Sequence, residues 1–134
     1  MRIVVDTNIL FSFFWRESLT RKLLITSNFE LISPEIALKE LDKHSEEIRG
    51  KLKITNREFK EQFKKLREIV NFIRMEEYSQ FIKEANSFSP DRADAEFFAL
   101  CLKNDCFLWS NDSLLKQQNR IKVLSTKEII EILF

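Results

Sequence analysis

The sequence predicts an α/β fold, a central parallel sheet with helices on both faces. Three observations carry the prediction. Short apolar runs rich in Val, Ile, Leu and Phe alternate with longer stretches whose apolar residues recur at helical spacing. Gly occurs once and Pro twice, too little turn-forming material for an all-β fold of many hairpins. Hydrophobic residues make up 44% and charged residues 32% of 134 residues, a balance that buries one sizeable core and predicts one domain over residues 1–134.

The elements follow in order. Arg2 to Val5 reads as a buried strand that stops abruptly at Asp6-Thr7-Asn8. Asp6 has two readings: a cap for the next helix, or the first member of a site at the C-terminal edge of the sheet. Residues 7–14 read as a short helix, apolar all round through Ile9, Leu10, Phe11, Phe13 and Phe14. With Trp15 it is either core or, in part, an aromatic patch for a partner chain. Ser18 to Ser27 is a second helix, and Phe29 to Ile32 a second strand. Ser33 as N-cap and Pro34 at the first helical position open a third helix, which runs to about Ile48 and is stopped by Gly50. Its ridge is Ala37, Leu41 and Ile48, and Glu40 lies at the edge of that ridge.

Lys51 to Arg67 is the most basic stretch, laid over a helical stripe of Phe59, Phe63, Leu66 and Val70. Its interleaved Glu residues suit a solvated face of i,i+4 pairs. The alternative is a phosphate-contacting arm carrying Lys60, Lys64 and Lys65. Val70 to Arg74 is a further strand and Tyr78 to Phe88 a further helix. Ser89-Pro90-Asp91 leads into the nearly all-apolar helix Arg92 to Lys103, with Asn104 suited to its left-handed end. Asp91, Asp94 and Phe98 share one face, so Asp94 heads a buried ridge. Cys106 to Ser110 is the next strand, and it too ends in polar residues, Ser110-Asn111-Asp112. Ser113 to Gln118 is a short helix, Ile121 to Leu124 the last strand, and Thr126 caps a final helix from Lys127 to Leu133.

Several function classes fall away. The formal charge of +1 does not announce a nucleic-acid binder, so such a partner would need a local patch. One Gly excludes glycine-loop phosphate sites. Two cysteines, Cys101 and Cys106, and one His are too few for a zinc site and read as reduced thiols of a cytoplasmic protein. The N-terminus lacks a signal-peptide layout, and the longest apolar run, Ile9 to Trp15, is too short to cross a membrane.

What remains is a constellation of acids. Asp6 and Asp112 end two strands, while Glu40, Asp94 and the neighbouring Asp91 sit on helices near buried stripes. If the helix after Asp91 starts at the same sheet edge, four or five carboxylates converge. Their mutual repulsion is tolerable when a divalent cation neutralises it. Oxygen-only ligation favours a hard ion, Mg²⁺ or Mn²⁺. Such an ion activates water and stabilises charge on a transferring phosphoryl group, chemistry suited to phosphodiester hydrolysis.

These residues resemble the PIN-domain nucleases. Val4-Val5-Asp6-Thr7-Asn8-Ile9-Leu10 looks like the family's opening motif, and Glu40 within Ile36 to Leu41 matches the acid of the second. Asp91-Arg92-Ala93-Asp94-Ala95 with its apolar helix is similar to the third, and Phe107 to Asp112 to the fourth. The match runs in order over nearly the whole chain. The resemblance implies a three-layer α/β/α sandwich and an Mg²⁺- or Mn²⁺-dependent ribonuclease of the VapC-like, single-domain kind. Asp6, Glu40, Asp94 and Asp112 carry over as the metal-binding and catalytic acids. Asp91 competes with Asp94 for the third place. Asn8 and Ser110 match polar positions that orient those acids. The resemblance also implies a cytoplasmic toxin of a toxin–antitoxin pair, a homodimer with an antitoxin partner and RNA as substrate.

Two other readings compete. An aspartyl phosphatase wants a second acid two residues after Asp6, where this chain has Asn8, and a phosphoacceptor domain wants adjacent acids after the first strand. The other is a catalytically inactive PIN-like module that holds RNA or a protein.

Overall fold

The apolar runs pair into one parallel sheet of five strands, in a computed structural model that describes Met1–Phe134. The strands are β1 (Arg2–Val5), β2 (Glu30–Pro34), β3 (Val70–Ile73), β4 (Phe107–Trp109) and β5 (Val123–Leu124). Their order across the sheet is β3-β2-β1-β4-β5. The chain steps outward from β1 to β3, then returns to the far side of β1 for β4 and β5. The stepping direction reverses between β1 and β4, and at such a switch point the strand ends open into a crevice. At the centre, Ile3, Val4 and Val5 are fully buried, as a strand covered on both faces requires. Val5 stands opposite Trp109, so Asp6 and Ser110 leave the sheet side by side.

Five helices connect β1 to β3: α1 (Thr7–Ser12), α2 (Leu19–Thr26), α3 (Glu35–Lys43), α4 (Ser45–Leu52) and α5 (Asn56–Ile69). Next come α6 (Ile82–Phe88) and α7 (Ala95–Asn104) before β4, and α8 (Thr126–Leu133) after β5. Right-handed crossovers put the outward and the return connections on opposite faces of the sheet. Accordingly α3 packs on β2 and β3, while α7 packs across β1, β2 and β4, which makes a three-layer α/β/α sandwich. Residues Ala95 and Phe97 to Cys101 of α7 are all buried. No helix is long and apolar enough to cross a membrane. Both cysteines are free thiols.

Several boundaries differ from expectation. Ser33 is not a cap: it is buried within β2, where its hydroxyl donates to Val5 O at 2.8 Å, and Pro34 takes the cap position. The helix expected to run unbroken to Ile48 is two helices, parted at His44 (φ −96°, ψ 16°). Gly50 stops nothing and lies inside α4, which ends instead at Lys53 in the left-handed region (φ 53°). The segment from Tyr78 begins as 3-10 turns, Met75–Glu77 and Ser79–Phe81, because Tyr78 turns into the core. The helix expected from Arg92 starts with a 3-10 turn, Arg92–Asp94. Asp105 (φ 49°), rather than Asn104, takes the left-handed position, since the Asn104 amide donates to Leu100 O at 2.8 Å within α7. The helix after Asp112 is a 3-10 turn, Ser113–Gln117. Ser125, not Thr126, caps α8, in a reciprocal pair with Glu128. The Thr126 hydroxyl instead accepts from the Trp109 indole N–H at 3.1 Å.

Candidate active site

Asp6 is both a cap and the anchor of a polar cluster. Its Oδ1 accepts from the Thr7 backbone N–H at 2.8 Å, at the start of α1. Its Oδ2 accepts from the Ser110 hydroxyl at 2.6 Å and from the Asn8 amide at 2.9 Å. Asn8 also donates to Ser110 Oγ at 3.2 Å, and the Asp112 backbone N–H donates to the same oxygen at 3.1 Å. Ser110 thus ties the end of β4 to the end of β1, which the register of the two strands makes possible. A carboxylate offers about four acceptor positions, and these three bonds leave one open.

The other acids surround this anchor. Asp112 caps the turn that follows it, accepting from Leu114 N–H at 3.1 Å. Glu40, half-buried on α3, and Asp94, half-buried before α7, have no hydrogen-bond or ion-pair partner in the protein. Burial raises the pKa of Asp94 to about 6, and the charges of Asp6, Asp91, Asp112 and Glu40 add to that rise. Burial also raises Asp6, opposed by its bonds from Ser110 and Thr7 and reinforced by the charges of Asp112 and Glu40. Asp6 and Asp94 therefore lie within reach of the neighbouring carboxylates, and no lysine or arginine is bonded to any of the five acids.

The charges of Asp6, Glu40 and Asp112 all reach Asp94, which puts the start of its helix at the Asp6 edge. Asp91 is more peripheral: exposed, with its Oδ1 accepting from Ala93 N–H at 3.1 Å as a cap. Lys60 and Lys64 stand elsewhere, with Arg67, along a cleft of about 410 Å³ whose walls include Phe59 and Phe63 but none of these acids. Lys65 does not line that cleft. Of the aromatic run, Phe13 and Phe14 are buried, Phe11 is half-buried and Trp15 is exposed.

The donor set fits a hard divalent cation. It is all oxygen, two of its carboxylates are unpartnered, and their repulsion is uncompensated. As they stand, no three of these acids are close enough together to hold a metal ion between them.

Two supporting residues escaped the sequence reading. Asn111 N–H donates to Asn8 Oδ1 at 3.4 Å, and Asn111 Oδ1 accepts from Thr126 N–H at 2.8 Å, linking the site to α8. Its position between Ser110 and Asp112 was the available signal. The Tyr78 hydroxyl donates to Glu96 Oε1 at 2.6 Å and fixes the first turn of α7 just past Asp94. No spacing in the sequence announces that pair.

Comparison with known proteins bears on the family and the fold. A family model described as "PIN domain" matches residues 4–131. No curated protein matches. Among solved structures, the chain is similar to a chain in the crystal structure of VapBC2 from Rickettsia felis bound to a DNA fragment from their promoter. That likeness has a TM-score of 0.64 at 15% identity and covers 93% of this chain and 98% of the other.

Proposed function

The chain belongs to the PIN-domain family of nucleases, and from that premise we propose that it is a divalent-metal-dependent ribonuclease hydrolysing RNA phosphodiester bonds at the Asp6 cluster. The observation that carries this reading is the anchoring of Asp6 by Ser110 and Asn8 at the end of β1, with the carboxylates of Glu40 and Asp94 nearby and unpartnered and no lysine or arginine bonded to them. Asp6, Asp94, Asp112 and Glu40, with Asp91 at the margin, would hold Mg²⁺ or Mn²⁺. Bound there, the ion supplies an activated water and neutralises charge developing on the phosphate. Asp6 is held in one orientation by Ser110 and Asn8, so it acts as the fixed reference of the site. Glu40 and Asp94 keep their oxygens free for the ion or for water, and no side chain is needed as a covalent nucleophile. Lys60 and Lys64 contribute phosphate contacts away from the acids. A role as a cytoplasmic, homodimeric toxin held in check by an antitoxin follows the habit of small family members; finding a short reading frame directly upstream of the gene would support it.

The test is cleavage of a single-stranded RNA oligonucleotide. Cleavage is expected with Mg²⁺ or Mn²⁺, is expected to stop in EDTA, and is expected to fall by about a hundredfold or more in Asp6→Asn and in Asp94→Asn, the upper range for disturbing a metal site. Circular dichroism checks that both variants fold. Undiminished cleavage in EDTA or in both folded variants overturns the reading. RNA retention by the wild-type protein without cleavage returns the inactive binding module.

A further inference from the structure

A second cleft has two of its lining residues, Phe11 and His44, about one helical turn beyond Asn8 and Glu40. It has a volume of about 320 Å³ and is lined by Phe11, Trp15, His44, Glu47, Ile48 and Lys51. Two helices lead into it from the Asp6 cluster. On α1, Phe11 lies three residues beyond Asn8, which holds Asp6. At the end of α3, His44 lies four residues beyond Glu40. Spacings of three and four put each pair on one helix face, about one turn apart. The rings of Phe11 and His44 meet edge-on, with centroids 6.0 Å apart and planes at 63°. Trp15 is 40% exposed, unusual for the largest apolar side chain in a protein whose other tryptophan, Trp109, is fully buried. Ile48 is buried and closes the floor. At the rim, Glu47 accepts from Lys51 Nζ at 3.0 Å and stands 3.3 Å from His44 Nδ1.

The geometry points to a nucleobase subsite: the cleft of Trp15, Phe11 and His44 takes one base of the RNA strand whose phosphodiester lies at the Asp6 cluster. This rests on the nuclease reading and adds to it the residues that grip the substrate beside the cut. Aromatic side chains lining a cleft suit a planar ring, and base–aromatic stacking tolerates any sequence because every base has a π-face. The rim carries an acceptor, Glu47, and donors, His44 and Lys51, so the polar edge of a base finds partners there. A base and its own phosphate are joined through one sugar, which matches a slot one helical turn from the acids.

The experiment reads Trp15 emission while a single-stranded RNA octamer is titrated into the wild-type protein in EDTA, so that the strand stays intact. A companion octamer lacks its bases but keeps the ribose–phosphate backbone. Trp109 is buried and bonded to Thr126, so it serves as a constant background. The intact octamer is expected to quench Trp15 and the abasic one is not. Trp15→Ala and Phe11→Ala are expected to bind the octamer about tenfold more weakly or worse, and Trp15→Phe to stay within about threefold, the span that one lost stack predicts. Thermal melts check that the variants fold. Equal affinity for the abasic strand, or Trp15→Ala binding like wild type, overturns the subsite. So does sedimentation showing that Trp15 joins two copies of the chain while RNA leaves its emission unchanged. Quenching without cleavage in Mg²⁺ keeps the subsite and removes the nuclease. Cleavage with Trp15 untouched does the reverse.

Discussion

Asp94 carries the sharpest consequence of the clustered acids. Its carboxyl is raised from 3.8 to about 6 by burial and four neighbouring charges. An acid raised by folding holds its proton in the native state after the unfolded chain has released it. Stability therefore falls as pH rises through that window, from about 4 to about 6. In metal-free protein, Asp94→Asn removes this loss. Because Asp94 is only half-buried, solvent screening reduces the gain to on the order of 1 kcal/mol, or about 4 °C in Tm. The variant is expected to melt higher than wild type at pH 7 and level with it near pH 4. Adding Mg²⁺ is expected to raise the wild-type Tm and leave the variant nearly unmoved, because a ligand stabilises only the state that binds it. Melting curves at two pH values, with and without Mg²⁺, check both. The acids were legible in the sequence because a carboxylate where a strand ends or a buried ridge begins breaks the apolar pattern. The unpartnered state of Glu40 and Asp94, and the Tyr78–Glu96 bond, were not, because both depend on which helices meet.

Among the elements, α4 shows how local signals mislead. A glycine near the end of a helical stretch reads as a stop, yet Gly50 lies within α4 with open space around the position a Cβ would take. The stop falls on Lys53, which has a side chain in a backbone region that glycine enters freely. Two opposite substitutions follow. Gly50→Ala is expected to stabilise the protein by about 0.5–1 kcal/mol through helix propensity and a less mobile unfolded chain. Lys53→Gly is expected to stabilise by about 1 kcal/mol by relieving the left-handed strain. Urea denaturation of each variant checks them, and a destabilised Gly50→Ala would contradict the open space. The existence and type of almost every element were readable because periodicity is a local signal. Caps moved by one residue at Ser33, Asn104 and Thr126 because each of those side chains found another partner: Val5 O in β1, Leu100 O in the same helix and the Trp109 indole in β4.

At the scale of the whole molecule, the parallel sheet was predictable but its strand order was not, since pairing of β1 with β4 joins residues a hundred positions apart. The same holds for the lysines. Helical geometry puts Lys60, Lys64 and Arg67 on one side of α5 and turns Lys65 away, a division visible only once the cleft is formed. If that side follows an RNA backbone, Lys60→Glu with Lys64→Glu weakens RNA binding and lowers the salt slope by about 1.4, two single-strand phosphate contacts' worth. Lys65→Glu leaves the slope nearly unchanged. Binding isotherms over a range of salt concentrations check this, and equal slopes for the two proteins would return the charges to a solvated face. The reversal of strand order at β1 and β4 also has a bearing on the cell that makes this protein. Asp6 is translated about a hundred residues before Ser110, which orients it, and Asp112. If these acids cut RNA as proposed, a nascent chain still on the ribosome, surrounded by RNA, holds only half of the site and stays harmless to the machinery that builds it until β4 slots in beside β1.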